Sequence, residues 1–222
     1  MRHTVIMISL AVLALSILLP GAACGQATGG SVVAWGGQVA VPPDALCGIT
    51  KVTAGEYHSS GLTSDGTIVS WGLSNDGQCV VPGDNADFVA SSAGGNHTLA
   101  LKSDGAIVAW GLNDCGQCNA PSPNAGFTAV AAGSRHSLGL KADGTIVCWG
   151  HSYYGQCDVP EPNSDFVAIA AGSSYSMGLK ADGTIVAWGW METGDVPEPN
   201  EGFVAIAAGI GHALALRSDG TG

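Results

Sequence analysis

Residues 132–150 read AGSRHSLGLKADGTIVCWG, and close copies of this stretch recur along the chain. The Trp-Gly pairs of successive copies are separated by 36, 39, 39 and 39 residues. A fixed period of this length indicates a small structural unit that cannot bury its apolar face alone and stacks on its neighbours. The repeated tryptophans, which we assign to packing between units, are Trp35, Trp71, Trp110, Trp149 and Trp188.

Each copy is predicted to form three short β-strands. In the third copy, residues 127–133 are apolar and bounded by Pro and Gly, which is typical of a strand. Residues 136–141 return as a second strand, and residues 145–150 are rich in β-formers and give a third. Asp143-Gly144 supplies the tight turn between them, because Gly accepts the positive φ that such a turn requires.

Short strands and Gly turns without a helical period argue against a helical solenoid. Repeated antiparallel sheets of three or four strands predict an all-β fold, a β-propeller of five repeats. A β-helix is the alternative, although its repeats are usually shorter. The chain has a third strand without its hairpin at Ser31–Gly36, and a hairpin without its third strand at residues 203–222. We therefore expect the two ends to share one blade and close the ring, the competing expectation being an open fragment of a seven-bladed propeller.

The repeat resembles that of the regulator of chromosome condensation family. The residues that carry the resemblance in one copy are His136-Ser137, Leu140, Asp143-Gly144, Val147 and Trp149-Gly150, followed by Gly155-Gln156. The resemblance covers residues 28–222 and implies a β-propeller, commonly seven-bladed in this family, whereas this chain has five copies. Some members bind chromatin and a small GTPase, but no exchange-factor residue is carried over. In repeat length and export the chain is also similar to the secreted β-lactamase inhibitor protein II.

The first 27 residues are predicted to be a secretory signal peptide, which leaves residues 28–222 as the repeat domain. A short basic start precedes an apolar, uncharged run from Val5 to Leu19, too short to span a bilayer comfortably. We predict a bacterial protein. With cleavage before Thr28, the mature protein would be secreted, periplasmic or at the cell surface. Cleavage before Cys24 would instead give a lipoprotein anchored through that cysteine. No membrane span is predicted.

The composition is acidic, with a formal net charge of −11 and only seven Lys and Arg residues. These cations form no run along the sequence. Because counterion release from a polyanion requires clustered cations, no nucleic-acid partner is predicted.

Six cysteines follow the predicted signal peptide, and an exported protein can oxidise them. Three of them occupy one repeat position, eight residues after a Trp, and are interpreted as small packing residues. Cys115 is the additional member of a Cys-Gly-Gln-Cys sequence, for which a local disulfide is favoured over redox chemistry. The three repeated cysteines are Cys79, Cys118 and Cys157.

Residues that recur in the copies are assigned structural roles. The repeated histidines, with Tyr175 at the same position in one copy, are interpreted as side chains that brace a turn by a hydrogen bond rather than as metal ligands. The aspartates of the Asp-Gly pairs are interpreted as turn formers. No catalytic motif, metal site or cofactor is predicted, so an enzyme is the least favoured class. The repeated histidines are His58, His97, His136 and His212.

Positions that vary between copies are the candidates for specific function. Because strand directions alternate, the turn after Ala-Gly and the loop after Trp-Gly are predicted to emerge at the same end of every blade. This end collects residue types enriched at protein interfaces, on rigidly placed loops. We therefore predict an exported, non-catalytic scaffold for a protein partner, with a sugar-binding lectin as the alternative. The predicted partner-binding residues are Tyr57, Arg135, His151, Tyr153, Tyr154, Tyr175, Trp190 and Met191.

Overall fold

The computed structural model describes residues 48–191 and 196–219 of the chain. Within these ranges the only regular elements are β-strands, and no helix is long and apolar enough to cross a membrane. The predicted signal peptide, the anchor site at Cys24 and the packing residue Trp35 lie outside the described residues.

The described residues contain 14 strands, which group into five antiparallel sheets in chain order. The first sheet consists of β1 (Ile49–Ala54), β2 (His58–Thr63) and β3 (Ile68–Gly72), and the second of β4 (Phe88–Ala93), β5 (His97–Lys102) and β6 (Ile107–Gly111). The third consists of β7 (Phe127–Ala132), β8 (His136–Lys141) and β9 (Ile146–Gly150), and the fourth of β10 (Phe166–Ala171), β11 (Tyr175–Lys180) and β12 (Ile185–Gly189). The fifth sheet consists of β13 (Phe203–Ala208) and β14 (Ala213–Arg217).

The strands predicted for the third copy are confirmed to within one residue at each end. β7 pairs with β8 and β8 with β9, both antiparallel. In the turn between β8 and β9, Gly144 has a φ of 80°, which favours glycine. The carboxylate of Asp143 accepts a hydrogen bond from the backbone N–H of Thr145 over 3.0 Å. The Asp-Gly pair therefore forms the turn in the way that its sequence predicts.

The hydrophobic core lies between consecutive sheets. Leu138 and Leu140 of β8 are at most 4% exposed and pack with Phe166 and Trp188 of the fourth sheet. The repeat places leucines and aromatic rings at fixed positions, so the other junctions are built from equivalent residues. Burying a side chain of this size contributes about 1.5–3 kcal/mol, and the contacts therefore hold the sheets in series.

An asparagine side chain covers the outer edge of each third strand, a role that the sequence analysis did not assign. Asn163 Nδ2 donates to the carbonyl of Ile146 over 2.9 Å, and Asn163 Oδ1 accepts from the N–H of Ile146 over 2.8 Å. The side chain thus satisfies backbone groups that would otherwise lie on an open sheet edge. The same pair of bonds is made by Asn85, Asn124 and Asn200.

The fifth sheet differs from the others because, among the described residues, it has no third strand and no sheet packs on the far face of β14. Leu214 and Leu216, which are equivalent to Leu138 and Leu140, are 54% and 50% exposed. Residues 31–36, which would complete this sheet, lie outside the described residues. Closure of the ring therefore stays a prediction.

Candidate protein-interaction site

Buried histidines tie consecutive sheets together. His97 Nε2 lies 3.0 Å from the hydroxyl of Ser137 in the third sheet. That hydroxyl donates its one proton to the backbone carbonyl of Gln117 over 2.8 Å, so His97 donates from Nε2. The predicted hydrogen bond exists, but it joins two sheets instead of bracing the turn beside the histidine. The equivalent pairs are His58–Thr98 and His136–Ser176.

The repeated tryptophans donate hydrogen bonds to the glutamine carbonyls that also accept from these serine and threonine hydroxyls. Trp149 Nε1 donates to the carbonyl of Gln117 over 2.9 Å, and this Trp is half-buried. Trp71, Trp110 and Trp188 are buried, which agrees with the packing role predicted for them. The equivalent bonds at the other junctions are Trp110 to Gln78 and Trp188 to Gln156.

Burial keeps the three inter-sheet histidines neutral. Because desolvation disfavours the imidazolium, the pKa is lowered to about 4 for His58, about 3 for His97 and about 4 for His136. His212, at the same position of the incomplete fifth sheet, is exposed. Within residues 48–191 and 196–219, no group of three or more His, Cys, Asp or Glu side chains could hold a metal ion.

Tyr175 takes the histidine position of the fourth sheet, and it is not a surface residue. Its side chain is 1% exposed, and its hydroxyl contacts the backbone carbonyls of Gly209, at 3.2 Å, and of His212. The prediction that Tyr175 contacts a partner is therefore wrong. Residue 213 is Ala, where the other junctions have Ser or Thr. A histidine would find no hydroxyl there, whereas the longer phenol reaches the backbone.

The variable turns and loops emerge at the same end of the sheets, as predicted. The N–H of His151 donates to the carbonyl of Arg135 over 2.9 Å, and the N–H of Trp190 donates to the carbonyl of Ser174 over 2.9 Å. Each loop after Trp-Gly is thereby bonded to the turn that precedes the second strand of its own sheet. We call this end of the sheets the loop end.

A buried glutamine shapes the loop of the third sheet from within. Gln156 Oε1 accepts from the backbone N–H of Tyr154 over 2.9 Å, and Gln156 Nε2 donates to His151 Nδ1 over 3.1 Å. The carbonyl of Gln156 accepts from Trp188, so the loop is anchored to the core of the next sheet. In the sequence this residue was visible only as part of the recurring Gly-Gln pair.

A disulfide bond closes the same loop. Cys148 of β9 is bonded to Cys157, so the interpretation of Cys157 as a packing residue is wrong. Cys79, Cys115 and Cys118 are free, so the disulfide favoured for Cys115 is not formed. The signal in the sequence was Cys148 itself, because the other copies have Ser or Ala at that position.

Three aromatic side chains meet at the loop end, where the third and fourth sheets adjoin. The rings of Tyr153 and Tyr154 form an edge-to-face pair with centroids 4.9 Å apart, and Tyr154 stacks on Trp190 at 5.6 Å. The three residues are 81%, 48% and 50% exposed, respectively. His151 lies beside them, its ring 6.4 Å from that of Tyr153. We call Tyr153, Tyr154 and Trp190 the aromatic cluster, and large exposed aromatic rings of this kind make it the candidate interaction site.

The other predicted partner-binding residues have different surroundings. Tyr57 is exposed at the loop end of the first sheet. Arg135 forms an ion pair with Asp114 over 3.0 Å, with both side chains largely in solvent. Met191 is half-buried and packs on the core between the fourth and fifth sheets.

A cleft of about 250 Å³ opens beside the aromatic cluster and uses Trp190 as one of its walls. This cleft could not be predicted from the sequence, because its walls come from the turns of two sheets as well as from the loop. The residues that line it are Ser173, Ser174, Trp190, Ile210 and Gly211.

Serially repeated antiparallel sheets with the core between them define the protein as an all-β β-propeller, which confirms the predicted fold class. Closure of the ring and the number of its blades stay predictions. A sequence model of the regulator of chromosome condensation (RCC1) repeat matches residues 49–78, 88–117, 127–156 and 166–194, more than half of the chain. The chain belongs to this repeat family.

Solved structures share the fold. Prp20p from Saccharomyces cerevisiae is 21% identical with a TM-score of 0.66, over 75% of this chain and 55% of that chain. The ectodomain of the receptor kinase CR4 from Physcomitrella patens is 27% identical with a TM-score of 0.66, over 77% and 49%. The ectodomain of the Arabidopsis thaliana receptor kinase ACR4 is 27% identical with a TM-score of 0.62, over 75% and 60%. The chain thus spans about half of these structures. No curated protein matches the sequence.

Proposed function

We propose that the chain is an exported, non-catalytic scaffold whose loop end binds a protein partner. The observation that carries the proposal is the aromatic cluster, in which large exposed rings stand on loops fixed by the core. Such side chains supply much of the energy of protein interfaces and lose little conformational entropy on binding. The Prp20p propeller, which is similar in fold, is described with its binding to Gsp1p and histones.

The non-catalytic part of the proposal is supported by the roles of the recurrent polar residues. The buried histidines are bonded to hydroxyls of the next sheet, and aspartates such as Asp143 are bonded within their turns. Export is supported by the Cys148–Cys157 disulfide, because such bonds persist in oxidising compartments. The predicted signal peptide points in the same direction.

A variant in which Tyr153, Tyr154 and Trp190 are all replaced by Ala tests the proposal. Proteins of the extracellular fraction are captured on the native chain and identified by mass spectrometry, and the affinity of each purified candidate is then measured for both forms. We expect affinity to fall by about 2 kcal/mol or more for each anchor residue, with an unchanged melting temperature.

The matched control replaces two exposed valines by Ala, Val89 near the start of β4 and Val167 near the start of β10, at the end of the sheets opposite the loop end. This control is expected to keep the affinity of the native chain. A cluster variant that binds the identified partner as tightly as the native chain would contradict the proposal.

A lectin with one sugar pocket in each blade is less well supported. The positions equivalent to Tyr153 are Asn75 in the first loop and Asp114 in the second, so the aromatic rings are not repeated from blade to blade. One asymmetric cluster is better suited to one protein epitope than to a ring of identical sugars. Glycan binding that survives loss of the aromatic cluster would favour the lectin instead.

A further inference from the structure

We propose that the cleft beside Trp190 receives an arginine side chain from a basic segment of the partner protein. This inference rests on the proposed function and specifies the chemistry that the partner presents. It is carried by the direction of the hydrogen bonds around the cleft, by the charges at the loop end and by the exposed indole.

A carboxylate and two serine hydroxyls lie beside the cleft. The hydroxyl of Ser134 donates to the carboxylate of Glu56 and lies 3.1 Å from the hydroxyl of Ser173. The hydroxyl oxygen of Ser173, which lines the cleft, has lone pairs that can accept a hydrogen bond from a ligand.

Backbone carbonyls at the cleft add acceptors. The N–H of Ser173 donates to the carbonyl of Ile210 over 3.3 Å, and the N–H of Trp190 donates to the carbonyl of Ser174 over 2.9 Å. These donors are thus engaged, whereas each of the two carbonyls keeps a second lone pair. A ligand rich in N–H donors fits this arrangement better than one rich in acceptors.

The charges at the loop end favour a cation. Among the described residues, Arg135 is the one Lys or Arg at this end, and it is paired with Asp114. Glu56, Asp76 and Asp158 lie on the same turns and loops, with no ion pair to a cation among the described residues. With a formal net charge of −11 for the chain, long-range attraction also favours a basic segment.

The indole selects arginine over lysine. Trp190 is half exposed and forms a wall of the cleft, so a cation that enters can lie against its ring. A guanidinium is planar, stacks on an aromatic face and still directs several N–H groups outward in its own plane. An ammonium group supplies only a hydrated point charge. The cleft with its acceptors therefore matches the guanidinium group.

Calorimetric titration of the full chain with two synthetic peptides tests the inference. One is a 12-residue Gly/Ser peptide with three arginines, and the other carries citrulline, which is neutral but nearly isosteric, in their place. We expect the arginine peptide to bind roughly tenfold more tightly than the citrulline peptide, and added salt to weaken its binding. Equal affinities, or no binding of the arginine peptide at millimolar concentration, would overturn the inference.

Two variants test whether the arginine peptide binds in the cleft. Glu56→Gln and Trp190→Ala are each expected to weaken arginine-peptide binding several-fold. The matched control is Glu201→Gln, which removes one negative charge at the opposite end of the sheets and is expected to leave binding unchanged. An equal loss in Glu201→Gln would mean that the peptide responds only to net charge, which overturns the inference.

Affinity measurements with the protein partner distinguish failure of this inference from failure of the proposed function. If its affinity depends on the aromatic cluster but neither on Glu56 nor on competition by the arginine peptide, the inference fails and the proposed function stands. If its affinity is unaffected by loss of the aromatic cluster, the proposed function itself fails.

Discussion

His97 Nε2 lies 3.0 Å from the hydroxyl of Ser137, and this hydrogen bond crosses from the second sheet to the third. On the other side of the ring, His97 Nδ1 is buried without a hydrogen-bond partner, as are the Nδ1 atoms of His58 and His136. Protonation would place a charge and an unpaired N–H in the interior, which is costly. The junctions between sheets therefore depend on neutral histidines.

The free energy of unfolding is expected to fall as the pH is lowered, beginning at pH values well above those at which most carboxylates titrate. The folded pKa values of about 3 to 4 lie below the ordinary 6.5, so the unfolded chain takes up protons first as the pH falls. Stability is full above pH 6.5 and declines from there towards pH 4. Between pH 7.5 and 4.5, urea unfolding should show a loss of about 2 kcal/mol for each buried histidine.

The control for this pH dependence is His97→Gln, which removes one of the titrating groups. Its unfolding free energy should fall less steeply between pH 7.5 and 4.5 than that of the native chain. His212→Gln, at an exposed position, should leave the slope unchanged. Equal slopes in all three proteins would contradict the assignment.

Tyr175 and Ala213 are expected to be energetically coupled. Tyr175→His alone leaves a buried imidazole without a hydroxyl partner and should cost about 1–3 kcal/mol. Adding Ala213→Ser supplies the hydroxyl found at the other junctions and should recover part of that loss. A double-mutant cycle measured by urea unfolding gives the coupling, and strictly additive effects would show that the two positions do not communicate.

Loss of the Cys148–Cys157 disulfide is expected to loosen the loop that carries Tyr153 and Tyr154. Cys157→Ser should cost about 2–3 kcal/mol by the chain-entropy estimate for so short a loop. It should also raise amide hydrogen exchange across residues 151–156. Cys118→Ser, at the equivalent position with a free thiol, is the matched control and should change neither quantity by much. Similar exchange in the two variants would argue against a restraining role.

Leu138 and Leu214 occupy equivalent positions, and substitution at Leu214 tests closure of the ring. Leu138→Ser should cost roughly 3 kcal/mol or more, because it empties a packed site and buries a hydroxyl. Leu214 is half exposed among the described residues, so Leu214→Ser should cost a similar amount if the ring closes over it, whereas an open face would keep the cost within about 0.5 kcal/mol. Urea unfolding of the full chain measures both. A large cost at Leu214 would indicate that the face is covered, as closure of the ring requires.

The strand order, the turns and the family were predictable from the sequence because they follow from local chemistry. The hairpin around Asp143-Gly144 depends on a carboxylate that bonds two residues ahead and on a glycine with positive φ. The spacing of the Trp-Gly pairs reports a stacking unit without any knowledge of the stack. Placement of the variable loops at one end followed from the alternation of strand direction.

The tertiary structure decided which residues meet across sheets. Tyr175 resembled an exposed interface residue, but it lies at the buried position that histidines take in the other sheets, and its hydroxyl contacts the backbone carbonyl of Gly209. Cys157 repeats the position of Cys118, and only the neighbouring Cys148 made it a disulfide partner.

Trp190 and Tyr154 stand on loops of different sheets and stack only because packing of the two sheets brings those loops together. Periodicity fixes what one repeat does, since backbone geometry and turn chemistry act over a few residues. Contacts between side chains of different repeats depend on the packing of whole sheets, which a single repeat does not encode.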